Sequence, residues 1–324
     1  MYDQELEIGK QAVLKAMRFT HQVQNKLTSG DSLNKEDKSP VTIADFAAQA
    51  IICRILHNKN YKIPIVGEED SNSLQIGANR PIVDSILNFL RMDKNLSELV
   101  DKSNLFSSID IGNQEPNDFF WTLDPIDGTK GFLRGDQFAI ALALIKNGEV
   151  VLGILGCPSI SFENDDAPDG YLFYGVKGKG ANILNVSTNV DHAISVSKNL
   201  NFEDMKFVQS YEPAHGDFQL METIAKDLNI KKSPFKVDSQ VKYGIVACGR
   251  AEIYLRIPNP RNPDYKEKIW DHAAGSLIVM EAGGTISDIK GKRLDFGCGK
   301  TLRNNTGILV CLPEIKDQIL NHLK

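Results

Sequence analysis

Apolar residues recur at helical spacing through the start of the chain. Leu6, Val13, Ala16, Met17, Val23 and Leu27 share one face over residues 2–28, which predicts a long first helix. The polar stretch 29–39 predicts a loop. Pro40-Val41-Thr42-Ile43-Ala44-Asp45 then opens a second helical pattern reaching about Leu56, with Thr42 or Asp45 placed to cap it. Ile63 to Val66 is a short apolar run, read as a buried strand, and it ends in Gly67-Glu68-Glu69-Asp70. From Arg80 to Asp101 the spacing predicts a helix interrupted near Asp93. Phe119 to Leu123 reads as a strand that stops at Asp124-Pro125, because proline brings no N–H to a ladder. Residues 138–156 read as two buried strands joined at Asn147-Gly148, and Tyr171 to Leu184 as a glycine-rich hairpin. Beyond about residue 190 strand and helix patterns alternate. They include a helix from His272 to Ala282, bracketed by Asp271 and by Gly283-Gly284.

This mixture predicts an α/β protein of layered sheets and helices with a boundary near residue 155, giving units 1–155 and 156–324. Composition narrows the partners. With 42% hydrophobic and 24% charged residues the chain is an ordinary folded protein. Its net charge of −5 gives no general attraction to nucleic acid or anionic membranes, so any polyanion site must be local. The five cysteines are scattered without C-x-x-C spacing, which suggests neither a zinc site nor a disulfide framework and fits a reducing compartment. The N-terminus lacks an apolar leader core, and no run is long enough to span a bilayer. A cytoplasmic or nuclear protein is expected.

The chemistry lies in four acidic points, each at an element end: Asp45, Glu68-Glu69, the Asp124/Asp127 pair and Asp271. The sharpest is Asp124-Pro-Ile-Asp127-Gly-Thr129. A strand-closing aspartate, a proline turn and a second aspartate three residues on can aim two carboxylates at one spot. The Ile126 carbonyl, left unpaired by the turn, is a natural extra ligand, and Gly128 and Thr129 open a segment whose N–H groups face an anion. Each point also has a bland reading. Asp-Pro-x-Asp-Gly is a plain turn, Asp271 serves as a helix cap, and an acidic Gly-Glu-Glu-Asp loop is commonly just solvated. His272 reads as a packing or surface histidine, the glycines of 175–180 as a hairpin, and no nucleophile motif is present.

In order along one chain, Asp45, Gly-Glu68-Glu69, Asp124-Pro-Ile-Asp127-Gly-Thr129 and Trp270-Asp271-His-Ala-Ala-Gly275 resemble the signature of the inositol monophosphatase-like, lithium-sensitive phosphatases. Ser39-Pro-Val-Thr-Ile-Ala-Asp45, the extension Lys130-Gly-Phe-Leu-Arg-Gly135 and the long segment between Glu69 and Phe119 resemble the 3′(2′),5′-bisphosphate nucleotidases among them. The resemblance implies an αβαβα sandwich and Mg²⁺, two or three ions per site. Glu68, Asp124 and the Ile126 carbonyl are then ligands of a first ion, Asp124, Asp127 and Asp271 of a second, and Glu68 with waters of a third. It further implies that Thr129, oriented by Asp45 or Glu68, positions and deprotonates the attacking water, with no phosphoenzyme. Gly128 and Thr129 would hold a phosphate oxygen. His215, Gly216, Ser239, Lys242 and Arg256, with Asp271, would bind the nucleotide.

The function expected is Mg²⁺-dependent removal of the 3′-phosphate of adenosine 3′,5′-bisphosphate, with the 5′-phosphosulfate as a further substrate and a link to sulfate assimilation. The expected partner is that small molecule alone, acting on a monomer. Two alternatives stand beside it: an inositol (poly)phosphate phosphatase, and a non-catalytic metal and nucleotide sensor on the same fold.

Overall fold

The computed structural model describes residues 1–27, 32–34, 40–60, 62–162, 167–211, 217–259, 262 and 264–323. The chain begins with α1 (Asp3–Gln24), the short strands β1 (Ser32–Asn34) and β2 (Pro40–Thr42), and α2 (Ile43–Asn60). β1 pairs antiparallel with β2 inside the stretch expected to be loop, and the remainder of 29–39 lies outside the described residues. β3 (Ile65–Gly67), α3 (Arg80–Arg91), α4 (Lys102–Asp110), β4 (Phe119–Asp127) and α5 (Thr129–Leu133) follow. The predicted break near Asp93 is present, with α3 ending at Arg91 and a 3₁₀ segment starting at Lys94.

A meander of β5 (Ala139–Lys146), β6 (Glu149–Cys157), β7 (Tyr171–Val176), β8 (Ala181–Asn185) and β9 (Val190–Ile194) completes a seven-stranded sheet, ordered β3-β4-β5-β6-β7-β8-β9. Asn147 and Gly148, both at positive φ (50° and 74°), make the tight turn between β5 and β6 that this dipeptide predicts. The sheet runs through residue 155 unbroken and ends at Ile194. The second sheet is built from β10 (Phe207–Gln209), β11 (Phe235–Lys236), β12 (Ile253–Arg256), β13 (Thr285–Ser287) and β14 (Ile308–Cys311), in the order β11-β10-β12-β14-β13. Its helices are α6 (Phe218–Asp227), α7 (Val241–Ala247), α8 (Ala273–Glu281) and α9 (Lys316–Asn321).

Alternation along the strands sorts the core into layers. In β5, Ile140, Leu142 and Leu144 pack with α1 to α4, whereas Ala139, Ala141, Ala143 and Ile145 face α7 and α8 on the other side. In β12 and β14, Tyr254, Ile308 and Val310 face those same two helices, and Ile253, Leu255, Leu309 and Cys311 turn outward under α6 and α9. Strands with apolar residues on both faces must be covered on both, so the result is helix, sheet, helix, sheet, helix, as expected. Each fully buried Leu or Ile contributes roughly 1.5–3 kcal/mol of transfer free energy, which makes these three layers of core the main stabilising term.

Two departures from the sequence reading matter for the site. β4 does not stop at Asp124: it continues to Asp127, and its pairing with β5 shifts register between Asp124 and Asp127. A bulge removes the need for a ladder donor at Pro125, so proline is accommodated rather than ending the strand. α8 starts at Ala273, one turn residue beyond Asp271. Its N-terminal flank is His272, with no side-chain cap bond, so Asp271 does not cap the helix. Among the described residues no helix is long and apolar enough to cross a membrane, and all five cysteines are free thiols.

Candidate active site

The start of α2 is fixed by a reciprocal cap. Thr42 Oγ1 accepts the Ala44 and Asp45 N–H groups at 3.1 and 3.4 Å, and Asp45 Oδ2 accepts the Thr42 N–H at 2.8 Å and its hydroxyl at 2.6 Å. Both predicted capping residues therefore act together. Held this way, buried Asp45 presents its other oxygen to Thr129 Oγ1 at 3.3 Å. The same hydroxyl lies 3.2 Å from the Ile126 carbonyl, so that carbonyl is not left unpaired by the turn. A carbonyl oxygen has two lone pairs, and one remains for a cation.

The bulge in β4 turns Asp124 and Asp127 to the same side. Asp124 is 2% exposed and accepts the Ile126 N–H at 3.1 Å. Asp127 accepts the Gln240 N–H at 2.6 Å, which ties the first sheet's acidic turn to the start of α7. Together with Glu68 at the end of β3 and Asp271 before α8, they line one cavity of about 200 Å³. Burial pushes the Asp124 and Asp271 carboxyls well above the usual carboxylate range. Glu68, Asp127 and Asp271 add like charge around Asp124, and Asp127, Glu68 and Glu267 do so around Asp271. Burial also pushes Asp127 up to about 6, although Lys242, the Gln240 N–H and Arg256 pull it down. Four carboxylates facing one cavity repel one another, and a divalent cation would remove that repulsion.

The same cavity also has cationic lining. Lys242, on α7, is 4% exposed, and Arg256 ends β12; both line the cavity with Ser239 and Tyr265. Lys242 has no carboxylate oxygen within 4.0 Å among the described residues, and burial lowers its ammonium to about 8. Ser239 adopts a left-handed backbone, φ 63°, a conformation that costs a non-glycine residue free energy and tends to persist at functional turns. His215 and Gly216 lie outside the described residues. All the other predicted site residues except Asp45 line this cavity; Asp45 sits behind Thr129.

Several residues that organise the site carry no local signal. Gln240 donates to the Trp270 carbonyl at 2.8 Å and accepts the Gly275 N–H at 3.1 Å, tying α7 to the start of α8. Buried Asp238 binds Arg134 at 2.6 Å and the Tyr211 N–H at 3.0 Å, and also accepts the Ser210 hydroxyl. His272, read as packing or surface, is a buried packing residue: it joins the Tyr243 hydroxyl at 2.7 Å and Glu267 at 3.1 Å. Long-range pairs of this kind leave no spacing in the chain to detect. Glu267, Asp271 and His272 place ligand atoms within 4.8 Å of one another. Glu267 and His272 already bond each other, with Arg256 and Tyr243 at either end, so the oxygen-only group of Glu68, Asp124, Asp127 and Asp271 suits Mg²⁺ better.

The model of the inositol monophosphatase family matches residues 2–324. The chain belongs to this family. It is an enzyme of the phosphatase class. Among similar proteins, a 3′(2′),5′-bisphosphate nucleotidase of Schizosaccharomyces pombe is 39% identical over 98% of this chain and 94% of its own length. A 3′,5′-bisphosphate nucleotidase of Arabidopsis thaliana is 37% identical over 100% and 96%. Among solved structures, an inositol monophosphatase of Thermotoga maritima superposes with a TM-score of 0.67 at 22% identity, covering 100% of this chain and 97% of that one. The family member CysQ of Bacteroides thetaiotaomicron gives 0.61 at 20%, covering 96% and 98%. These structures carry the fold, an α/β layered sandwich.

Proposed function

We propose that this phosphatase hydrolyses the 3′-phosphate of adenosine 3′,5′-bisphosphate, with Mg²⁺ held by Glu68, Asp124, Asp127, Asp271 and the Ile126 carbonyl. The observation that carries the reading is one cavity lined both by four carboxylates and by an arginine and a buried lysine that has no carboxylate oxygen within 4.0 Å among the described residues. A single phosphate needs only the metal wall. Cations lining the same cavity suit a second phosphate on the same small molecule. The names of the relatives from fission yeast and Arabidopsis support the same substrate class.

The donor set fits Mg²⁺, which prefers a few carboxylates and keeps several waters. When bound, such ions acidify water and offset charge on phosphoryl oxygens. The rest falls to the chain. Thr129 Oγ1 accepts a hydrogen bond from the attacking water and passes its own proton toward Asp45 Oδ1, already 3.3 Å away. Thr42 holds Asp45 from behind, so that oxygen stays aimed at Thr129. Gly128 and Thr129 contact the phosphate being cleaved. Ser239, Lys242 and Arg256 take the 5′-phosphate; the nucleoside roles expected of His215 and Gly216 fall outside the described residues. The 5′-phosphosulfate fits the same wall, which is the proposed link to sulfate assimilation. The division expected near residue 155 sets most of the metal-holding residues apart from a unit with the nucleotide-binding residues and Asp271, and the first sheet runs past that point to Ile194.

The test is kcat/KM for adenosine 3′,5′-bisphosphate and for inositol 1-phosphate, measured side by side with Mg²⁺. The bisphosphate is expected to be preferred by at least about 10²-fold, the discrimination a desolvated charged contact gives. Preference for inositol phosphate would retain the mechanism and discard the nucleotide. Binding without turnover of either would support the sensor alternative.

A further inference from the structure

Arg256 is only partly free to serve a ligand. Its Nε donates to Glu267 Oε1 at 2.7 Å, while its side chain lines the cavity beside Lys242. The other Glu267 oxygen faces His272 Nε2 at 3.1 Å, and His272 Nδ1 faces the Tyr243 hydroxyl at 2.7 Å. Tyr243 sits on α7 one residue after Lys242, and its ring packs edge-on against Tyr254 with centroids 5.2 Å apart. The chain Arg256, Glu267, His272, Tyr243 is buried through its last three members, and it returns to the element that carries the other cation. A guanidinium is a rigid planar fork, so fixing Nε fixes the plane in which its two terminal nitrogens point.

We propose that Glu267 is a positioning residue for specificity, holding the Arg256 guanidinium in the plane in which it grips the phosphate that is not cleaved. His272 and Tyr243 keep Glu267 from turning toward the cavity, where a free carboxylate would repel the substrate. Buried carboxylate and guanidinium groups seldom remain apart, and a glutamate next to an anion site works against binding unless it is engaged elsewhere. The arrangement therefore serves recognition rather than bond cleavage. This inference rests on the reading of the cationic wall as the site of a second phosphate.

The experiment is steady-state kinetics of the full chain with Mg²⁺ on two substrates, adenosine 3′,5′-bisphosphate and adenosine 3′-phosphate, which lacks the second phosphate. Wild type, Glu267→Gln, Arg256→Ala and the double variant are compared. In Glu267→Gln the KM for the bisphosphate is expected to rise about tenfold, as loss of one charged hydrogen bond implies, with kcat within about twofold. The KM for the monophosphate stays as in wild type. Adding Glu267→Gln to Arg256→Ala gives no further rise. A fall in kcat on both substrates alike, or additive effects in the double variant, would overturn the positioning role and leave a structural one. An unchanged KM in Glu267→Gln would overturn it as well. If wild type itself shows the same KM for both substrates, the second-phosphate reading fails first, and the proposal fails with it.

Discussion

At the scale of single residues, the proposed chemistry depends on charges held at unusual values. Lys242 is a cation below about 8 and neutral above it, because burial disfavours its charged form. The kcat/KM for the bisphosphate should therefore fall as pH rises through about 8, with no matching fall for adenosine 3′-phosphate. The difference between the two profiles should vanish in Lys242→Ala, and its persistence there would remove Lys242 from the phosphate site. Thr129 contributes one hydroxyl aimed at Asp45. Thr129→Val should lower kcat by about 10²-fold or more, the range of a lost proton-transfer partner, while Mg²⁺ affinity by calorimetry stays unchanged. The Glu267 carboxyl is shifted in the opposite sense to those of Asp124, Asp127 and Asp271. Burial alone would raise its carboxyl, but Arg256 and His272 outweigh burial and hold it at about 2, against 4.5 when exposed. Its contribution to stability is thus fully present above pH 4.5 and lost as pH falls toward 2. Wild type should lose stability relative to Glu267→Gln across that window in acid-denaturation midpoints. A constant difference would show that the ion pair does not form.

At the scale of elements, the site depends on how closely α8 approaches its neighbours. A Cβ at Gly275 would lie 2.3 Å from Tyr243 Cγ, and one at Gly153 would lie 2.5 Å from the Ala274 carbonyl. Gly275→Ala should cost about 1–3 kcal/mol in urea unfolding, the usual range for overpacking. It should also raise the KM for the bisphosphate, because Tyr243 is pushed away from His272. Unchanged stability would mean the two helices slide apart at little cost. The same scale decides what the chain discloses in advance. The continuous apolar runs of β5 and β6, the Asn147-Gly148 turn and the break before Lys94 are local patterns, and each is legible in the sequence. The continuation of β4 through Pro125 is not, because a bulge depends on the partner strand. Asp271 looks like a cap from its neighbours alone, yet α8 starts after His272. Within the candidate site, the acidic points are visible because they stand at element ends. Gln240 and Asp238 are invisible because their partners are distant in the chain, and Glu267 because its nearer partners, His272 and Arg256, lie on a loop and a strand that share no repeat period with it.

At the scale of the molecule, the ends of β3 and β4, the start of α7, β12 and the turn before α8 meet at a cavity lined by four carboxylates. Such crowding opposes folding until a cation is bound. In chelator at neutral pH, Asp124→Asn should melt a few degrees above wild type, since it removes buried like-charge repulsion. Mg²⁺ at about 100 times its Kd should stabilise wild type by roughly 2.7 kcal/mol and the variant by much less. The most direct test of the account is phosphate release from adenosine 3′,5′-bisphosphate by wild type and Asp124→Asn, each with Mg²⁺ and with chelator. Release is expected from wild type only with Mg²⁺, with loss of at least about 10³-fold in the variant, as removal of a principal charge-stabilising group implies. Release that persists in chelator, or in Asp124→Asn, would contradict it.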